Sequence, residues 1–123
     1  MALILLVDDD DQFRVMLQAM LERLGHTVVT ARSGKEALAC NAERPSDLVI
    51  TDLIMPDKDG LEVIRELHES APNVPIIAMS GGGRMNPAMY LKIATQMGAR
   101  EVLAKPFTLS QLSTAIESAT AQR

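Results

Sequence analysis

Leu3-Ile4-Leu5-Leu6-Val7-Asp8-Asp9-Asp10-Asp11 sets the pattern for the whole chain: a short unbroken apolar run that ends abruptly in acid. A run of this length without polar alternation is what a strand buried on both faces of a parallel sheet requires. It is far too short to span a membrane and lacks the basic start of a signal peptide. Behind it, Phe13, Met16, Leu17, Met20, Leu21 and Leu24 recur at three- and four-residue steps, so the spacing predicts a helix with one apolar face that Gly25 stops. Residues 26–31 read as a second strand. Ser33-Gly34-Lys35-Glu36 offers a hydroxyl and a carboxylate at capping-box spacing, starting a helix that runs to about Arg44 before Pro45.

The alternation continues to the end. Leu48-Val49-Ile50-Thr51 is a third strand that delivers Asp52 at its carboxyl end, followed by a turn-rich loop to Gly60. Leu61, Ile64 and Leu67 mark a helix that Pro72 terminates, and residues 76–79 form a fourth strand ending at Ser80. Asn86-Pro87 suits a helix start, because proline at the first helical position sacrifices no hydrogen bond, and this helix continues to Gly98. Residues 102–104 form a fifth strand, and Thr108 caps a last helix whose Leu109, Leu112 and Ile116 face inward. Strict strand and helix alternation implies a parallel sheet with helices on both faces, since each crossover is right-handed. The expected fold is α/β, a flavodoxin-like doubly wound sheet of five parallel strands in order 2-1-3-4-5 with five helices. Residues 1–123 are expected to form a single domain.

Composition narrows the function. With 12 basic against 16 acidic residues the formal charge is -4, and the sequence pI is near 5.1. No basic field exists to hold a nucleic acid backbone, so direct nucleic-acid binding is not expected. Cys40 is the sole cysteine, so no internal disulfide forms; it reads as a small buried thiol, and the chain as soluble and cytoplasmic.

In open α/β sheets ligands bind beyond the carboxyl ends of the strands, where strand order reverses. Those positions hold Asp8, Asp9, Asp52, Ser80 and Lys105. Three converging carboxylates repel one another unless a divalent cation neutralises them, and Mg²⁺ fits because it keeps waters and leaves positions open for phosphoryl oxygens. With Lys105 as counter-charge and Ser80 as hydrogen-bond donor, the pocket suits a phosphoryl group accepted by Asp52 as nucleophile.

Val7-Asp8-Asp9, the segment Asp52-Leu53-Ile54-Met55-Pro56-Asp57-Lys58-Asp59-Gly60, Ser80 and Lys105-Pro106-Phe107 together resemble the signature of chemotaxis-regulator-like response-regulator receiver domains of two-component signalling, over essentially the whole chain. The resemblance implies that Asp52 is the phospho-acceptor, that Asp8 and Asp9 are the acidic pair, and that the backbone carbonyl of Ile54 is the remaining protein metal ligand. Asp9 then contacts Mg²⁺ directly, and Asp8 acts mainly through a metal-bound water. Ser80 binds a phosphoryl oxygen, Lys105 pairs with carboxylate or phosphate, and Lys105-Pro106 is a cis peptide. It further implies a histidine kinase, phosphotransfer protein or small acyl phosphate as donor, a downstream protein target, and a timer rather than a metabolic enzyme. Homodimerisation is left open, and Tyr90, Lys92, Gln111 and Thr114 mark candidate partner positions.

The chain departs from the family in two places. Family members usually carry an aromatic ring three residues before the lysine, where this chain has Val102, and valine cannot perform a ring swing. The segment Gly81-Gly82-Gly83-Arg84-Met85-Asn86 is longer than the family norm, and its glycines suggest a mobile loop whose ordering carries the signal instead.

Simpler readings stand beside these. Asp10 and Asp11 suffice as helix caps, and Pro56, Asp57, Asp59 and Gly60 as turn formers. Gly81 to Gly83 lack a dinucleotide fingerprint, and His26 and His68 lack metal-ligand spacing. Met16, Met20, Met79 and Met97 fit core spacing, while Met85 and Met89 offer an adaptable partner surface. Two rival functions remain: an aspartyl-phosphate phosphatase pairing Asp8 with Asp10, and a receiver-like module that binds its partner constitutively without phosphorylation.

Overall fold

A computed structural model of the chain describes residues 2–53, 60–81 and 87–121; the side chains of residues 60, 87, 90 and 91 lie outside that description. Five parallel strands, β1 (Leu3–Val7), β2 (Thr27–Ala31), β3 (Leu48–Asp52), β4 (Ile76–Ser80) and β5 (Glu101–Ala104), form one sheet in the order β2-β1-β3-β4-β5. Helices α1 (Asp11–Arg23), α2 (Gly34–Glu43), α3 (Gly60–Ser70), α4 (Pro87–Met97) and α5 (Leu109–Ala121) follow the strands in turn. This is the flavodoxin-like fold and strand order expected from the alternation.

Successive residues of each strand point to opposite faces, and each face has its own core. Ile4, Leu6, Leu48, Ile50, Ile77, Met79 and Leu103 pack with Leu17 and Leu21 of α1 and Leu112 and Ile116 of α5. Leu5, Val7, Val49, Ile76 and Ala78 pack with Ala37 of α2, Val63, Ile64 and Leu67 of α3, and Ala94 of α4. The apolar runs are unbroken because both faces are covered.

Each end signal acts as its chemistry dictates. Asp10 caps α1 by accepting from the Phe13 N–H at 3.1 Å. Ser33 caps α2 by accepting from the Glu36 N–H, without a returned bond from the Glu36 carboxylate, so only half of the expected capping box forms. The full box appears instead at α5, where Thr108 and Gln111 exchange side-chain bonds to each other's N–H at 3.1 and 2.8 Å. Gly98 ends α4 at φ 130°, with the His68 ring where a Cβ would stand, so no other residue fits there without strain.

Some burial differs from the periodicity. Met16 is 49% exposed because it lies about 100° round the helix from Leu17, while Arg14 takes a place on the buried stripe. Leu109 is likewise exposed at the first turn of α5. Met79 is fully buried, Met20 and Met97 half-buried, and Met89 exposed. Cys40 is half-buried against the core rather than fully enclosed, and burial pushes its thiol pKa up.

His26 stands just before β2 and accepts the Ala2 N–H on Nδ1 at 3.1 Å. Burial pushes its pKa below the ordinary 6.5. The unfolded chain therefore binds the proton first, and this histidine withdraws stability as pH falls through the unfolded value. Urea unfolding between about pH 8 and about pH 5.5 is expected to show stability declining on acidification, with a shallower decline in His26→Gln. An unchanged slope in that variant would contradict the assignment.

Candidate phosphoryl-acceptor site

The sheet brings the acids together by register. Val7 pairs with Thr51 and Asp52 with Met79, so Asp8 leaves β1 beside Asp52 at the end of β3. The strand order reverses between β1 and β3, the crevice where open sheets bind ligands. Ser80 pairs with Ala104, which puts Lys105 just beyond, and the Lys105 N–H donates to the Ser80 carbonyl at 2.8 Å.

One carboxylate oxygen from each of Asp8, Asp9 and Asp52 lies within 4.8 Å of the other two. Asp8 is fully buried and Asp52 nearly so, whereas Asp9 is exposed. Both oxygens of Asp8 are engaged: Oδ1 accepts from the Asp10 N–H at 2.9 Å and Oδ2 from Lys105 Nζ at 2.9 Å. Lys105 Nζ also reaches Asp52 Oδ2 at 3.4 Å. One ammonium thus bridges two buried carboxylates and leaves Asp9 facing solvent, a set of hard oxygen donors that fits a divalent cation. Ser80 is buried at the end of β4, one strand from Asp52. Lys105-Pro106 is cis, as the resemblance implied. Gly81 closes the rim: a Cβ there would come within 2.6 Å of the Lys105 Cβ and 3.0 Å of its carbonyl oxygen.

The family model described as response regulator receiver domain matches residues 4–117. The chain belongs to the response-regulator receiver domain family. It is 38% identical over 118 residues to the DNA-binding transcriptional regulator NtrC of Azospirillum brasilense, covering 96% of this chain and 24% of that protein. A response regulator receiver domain protein from Clostridium thermocellum superposes with TM-score 0.90 at 34% identity, covering 99% of this chain and 96% of that one. The receiver domain of NtrX from Brucella abortus gives TM-score 0.90 at 30% identity, covering 98% and 99%. The receiver spans about a quarter of the length of the curated relatives it matches.

Two residues of the receiver escaped sequence reasoning. Arg14 is buried, donates from Nη1 to the Asp8 carbonyl at 2.9 Å and pairs with Asp11 through Nη2. That pairing draws the Asp11 carboxyl below its ordinary value. A charged residue on the same helical face as Leu17 and Leu21 was the available signal, because it needs a buried partner. The other is Phe13, whose ring lies under the Lys105 ammonium, 4.0 Å from centroid to Nζ. Asp10, by contrast, caps α1 by accepting the Phe13 N–H, and the acidic cluster among the described residues comprises Asp8, Asp9 and Asp52.

The family's aromatic position holds a half-buried Val102 packed against the core. Beside it, β5 and α5 enclose a cleft of about 380 Å³ lined by Val102, Leu103, Phe107, Gln111 and Thr114 among others. Two of the four candidate partner positions therefore rim one cleft. Ile54, Pro56, Asp57 and Asp59, residues 82–86 of the glycine-rich loop, and the Tyr90 side chain lie outside the described residues.

Proposed function

We propose that Asp52 is the acceptor in a Mg²⁺-dependent phosphoryl switch. The observation that carries this reading is a buried carboxylate at the end of a strand, with two further carboxylates within 4.8 Å and an ammonium 3.4 Å away. An Asp52 carboxylate oxygen attacks the phosphorus of a phosphohistidine or acyl phosphate. The bond from phosphorus to the donor's nitrogen or oxygen breaks, and the leaving group retains the electron pair. Lys105 moves its ammonium toward the new phosphoryl oxygens, and Ser80 donates a hydrogen bond to one of them. Asp9, Asp52 and the Ile54 carbonyl would hold Mg²⁺, with Asp8 acting through a water, and the ion would supply charge neutralisation for the phosphoryl oxygens. Water later removes the phosphoryl group, so the receiver acts as a timed switch rather than an enzyme with a separate substrate.

Phosphorylation adds charge and acceptors that draw the Ser80 side chain and its following loop inward, biasing the face formed by α4, β5 and α5 for a downstream protein. With Val102 unable to swing a ring, the step is transmitted from the Ser80 end of β4 rather than through an aromatic side chain. A histidine kinase or phosphotransfer protein in the cytoplasm is the donor, and residues 1–123 act as one domain. None of the described helices is long and apolar enough to cross a membrane.

Intact mass after incubation with acetyl phosphate is expected to show a phosphoryl adduct that requires Mg²⁺ and is absent from Asp52→Asn. An adduct of equal yield in Asp52→Asn would contradict the assignment, and an adduct indifferent to Mg²⁺ would contradict the metal.

A further inference from the structure

Lys105 carries the chemistry of the site on a four-carbon stem that is costly to immobilise. Its backbone is fixed by the bond from its N–H to the Ser80 carbonyl and by the close approach of Gly81. Its tip is fixed by two carboxylates and by a third contact that the acceptor chemistry does not require. The Phe13 ring lies with its face toward the ammonium, 4.0 Å from centroid to Nζ. Phe107 meets Phe13 edge-on, with centroids 5.9 Å apart and planes at 87°, so the ring is itself braced by the segment that carries Lys105. Phe13 is further anchored at the first turn of α1 by the bond from its N–H to Asp10. The side chain is only partly buried, so core filling alone does not account for its placement.

A cation over an aromatic face is attracted to the ring's negative quadrupole, most strongly when partly desolvated. When a phosphoryl group arrives at Asp52, the ammonium must exchange carboxylate oxygen for phosphoryl oxygen. A ring face that is neutral and non-directional holds the ammonium near the site throughout that exchange without competing for a fixed hydrogen bond.

We propose that Phe13 is a positioning residue for Lys105, holding the ammonium over Asp8 and Asp52 by cation–π attraction and thereby setting how fast Asp52 accepts a phosphoryl group. The rate effect rests on the acceptor reading given above; the ring contact does not. The native chain, Phe13→Leu and Phe13→Tyr separate the two. In NMR spectra recorded with a chelator, the Lys105 Hε protons are expected to be shifted upfield by the ring current in the native chain and in Phe13→Tyr, and to lose that shift in Phe13→Leu. With acetyl phosphate and Mg²⁺, Phe13→Leu is expected to lower the maximal rate of adduct formation about threefold to tenfold. The half-saturating donor concentration should stay unchanged, and Phe13→Tyr should keep the native rate. Unshifted Lys105 protons in the native chain, a native rate in Phe13→Leu, or equal damage in both variants would overturn the proposal. Absence of any adduct on the native chain would overturn the acceptor reading and the rate effect with it, and is told apart from failure of the ring contact because the upfield shift persists.

Discussion

Lys105→Met is expected to destabilise the fold by about 3 kcal/mol in the absence of divalent cations, because it removes one partner of a buried pair and leaves the other charge uncompensated. Asp8 is fully buried and Lys105 Nζ is its charge partner at 2.9 Å, while the same ammonium reaches Asp52 at 3.4 Å. The Asp10 N–H on Oδ1 remains, but one neutral donor offsets only part of a buried negative charge. Mg²⁺ should restore more stability to this variant than to the native chain, since it supplies positive charge to the same carboxylates. Under the proposed function the variant should also accept phosphoryl groups roughly 10²- to 10³-fold more slowly, the usual effect of deleting one electrostatic stabiliser. Urea unfolding with and without Mg²⁺ checks the first part, and single-turnover adduct formation the second. A variant as stable as the native chain in chelator would show that the ammonium bridge contributes nothing to the fold.

Ile50→Ala is expected to cost about 2–5 kcal/mol, the range for truncating a fully buried aliphatic side chain in a core that cannot collapse around the gap. Ile50 has no exposure, lies on the central strand β3, and packs in the core that α1 and α5 close. It is also two residues before Asp52, so a gap beneath it loosens the strand end that presents the acceptor. Denaturant midpoints should shift strongly, and a loss under about 1 kcal/mol would show that α1 and α5 can close over the cavity.

The fold was legible because two-sided burial leaves unbroken apolar runs. Leu3–Val7 is bounded as its composition suggests, and the glycines at 25 and 98 take the positive φ that ends α1 and α4. Where pairing rather than hydropathy decides an edge, the sequence was a weaker guide. His26 falls outside β2 because its backbone N–H donates to the Leu21 carbonyl at the end of α1 instead of to the ladder, and Glu101 joins β5 because its backbone pairs opposite Ile77. The convergence of Asp8, Asp9, Asp52, Ser80 and Lys105 was legible because each stands at or just after a strand end, and the strand order sets those ends side by side. Arg14 and Phe13 were not, because their roles depend on the rotation of α1 and on side-chain direction. The exposure of Met16 is the counterpart of the same rotation.

Chemical trapping of the acceptor tests the central claim most directly. An aspartyl phosphate is reduced by borohydride to homoserine, so the native chain treated with acetyl phosphate and Mg²⁺, reduced and digested, should yield homoserine at position 52 and at no other acidic residue. Homoserine at Asp8, Asp9 or Asp57, or none at all from a chain shown to be folded, would contradict the account.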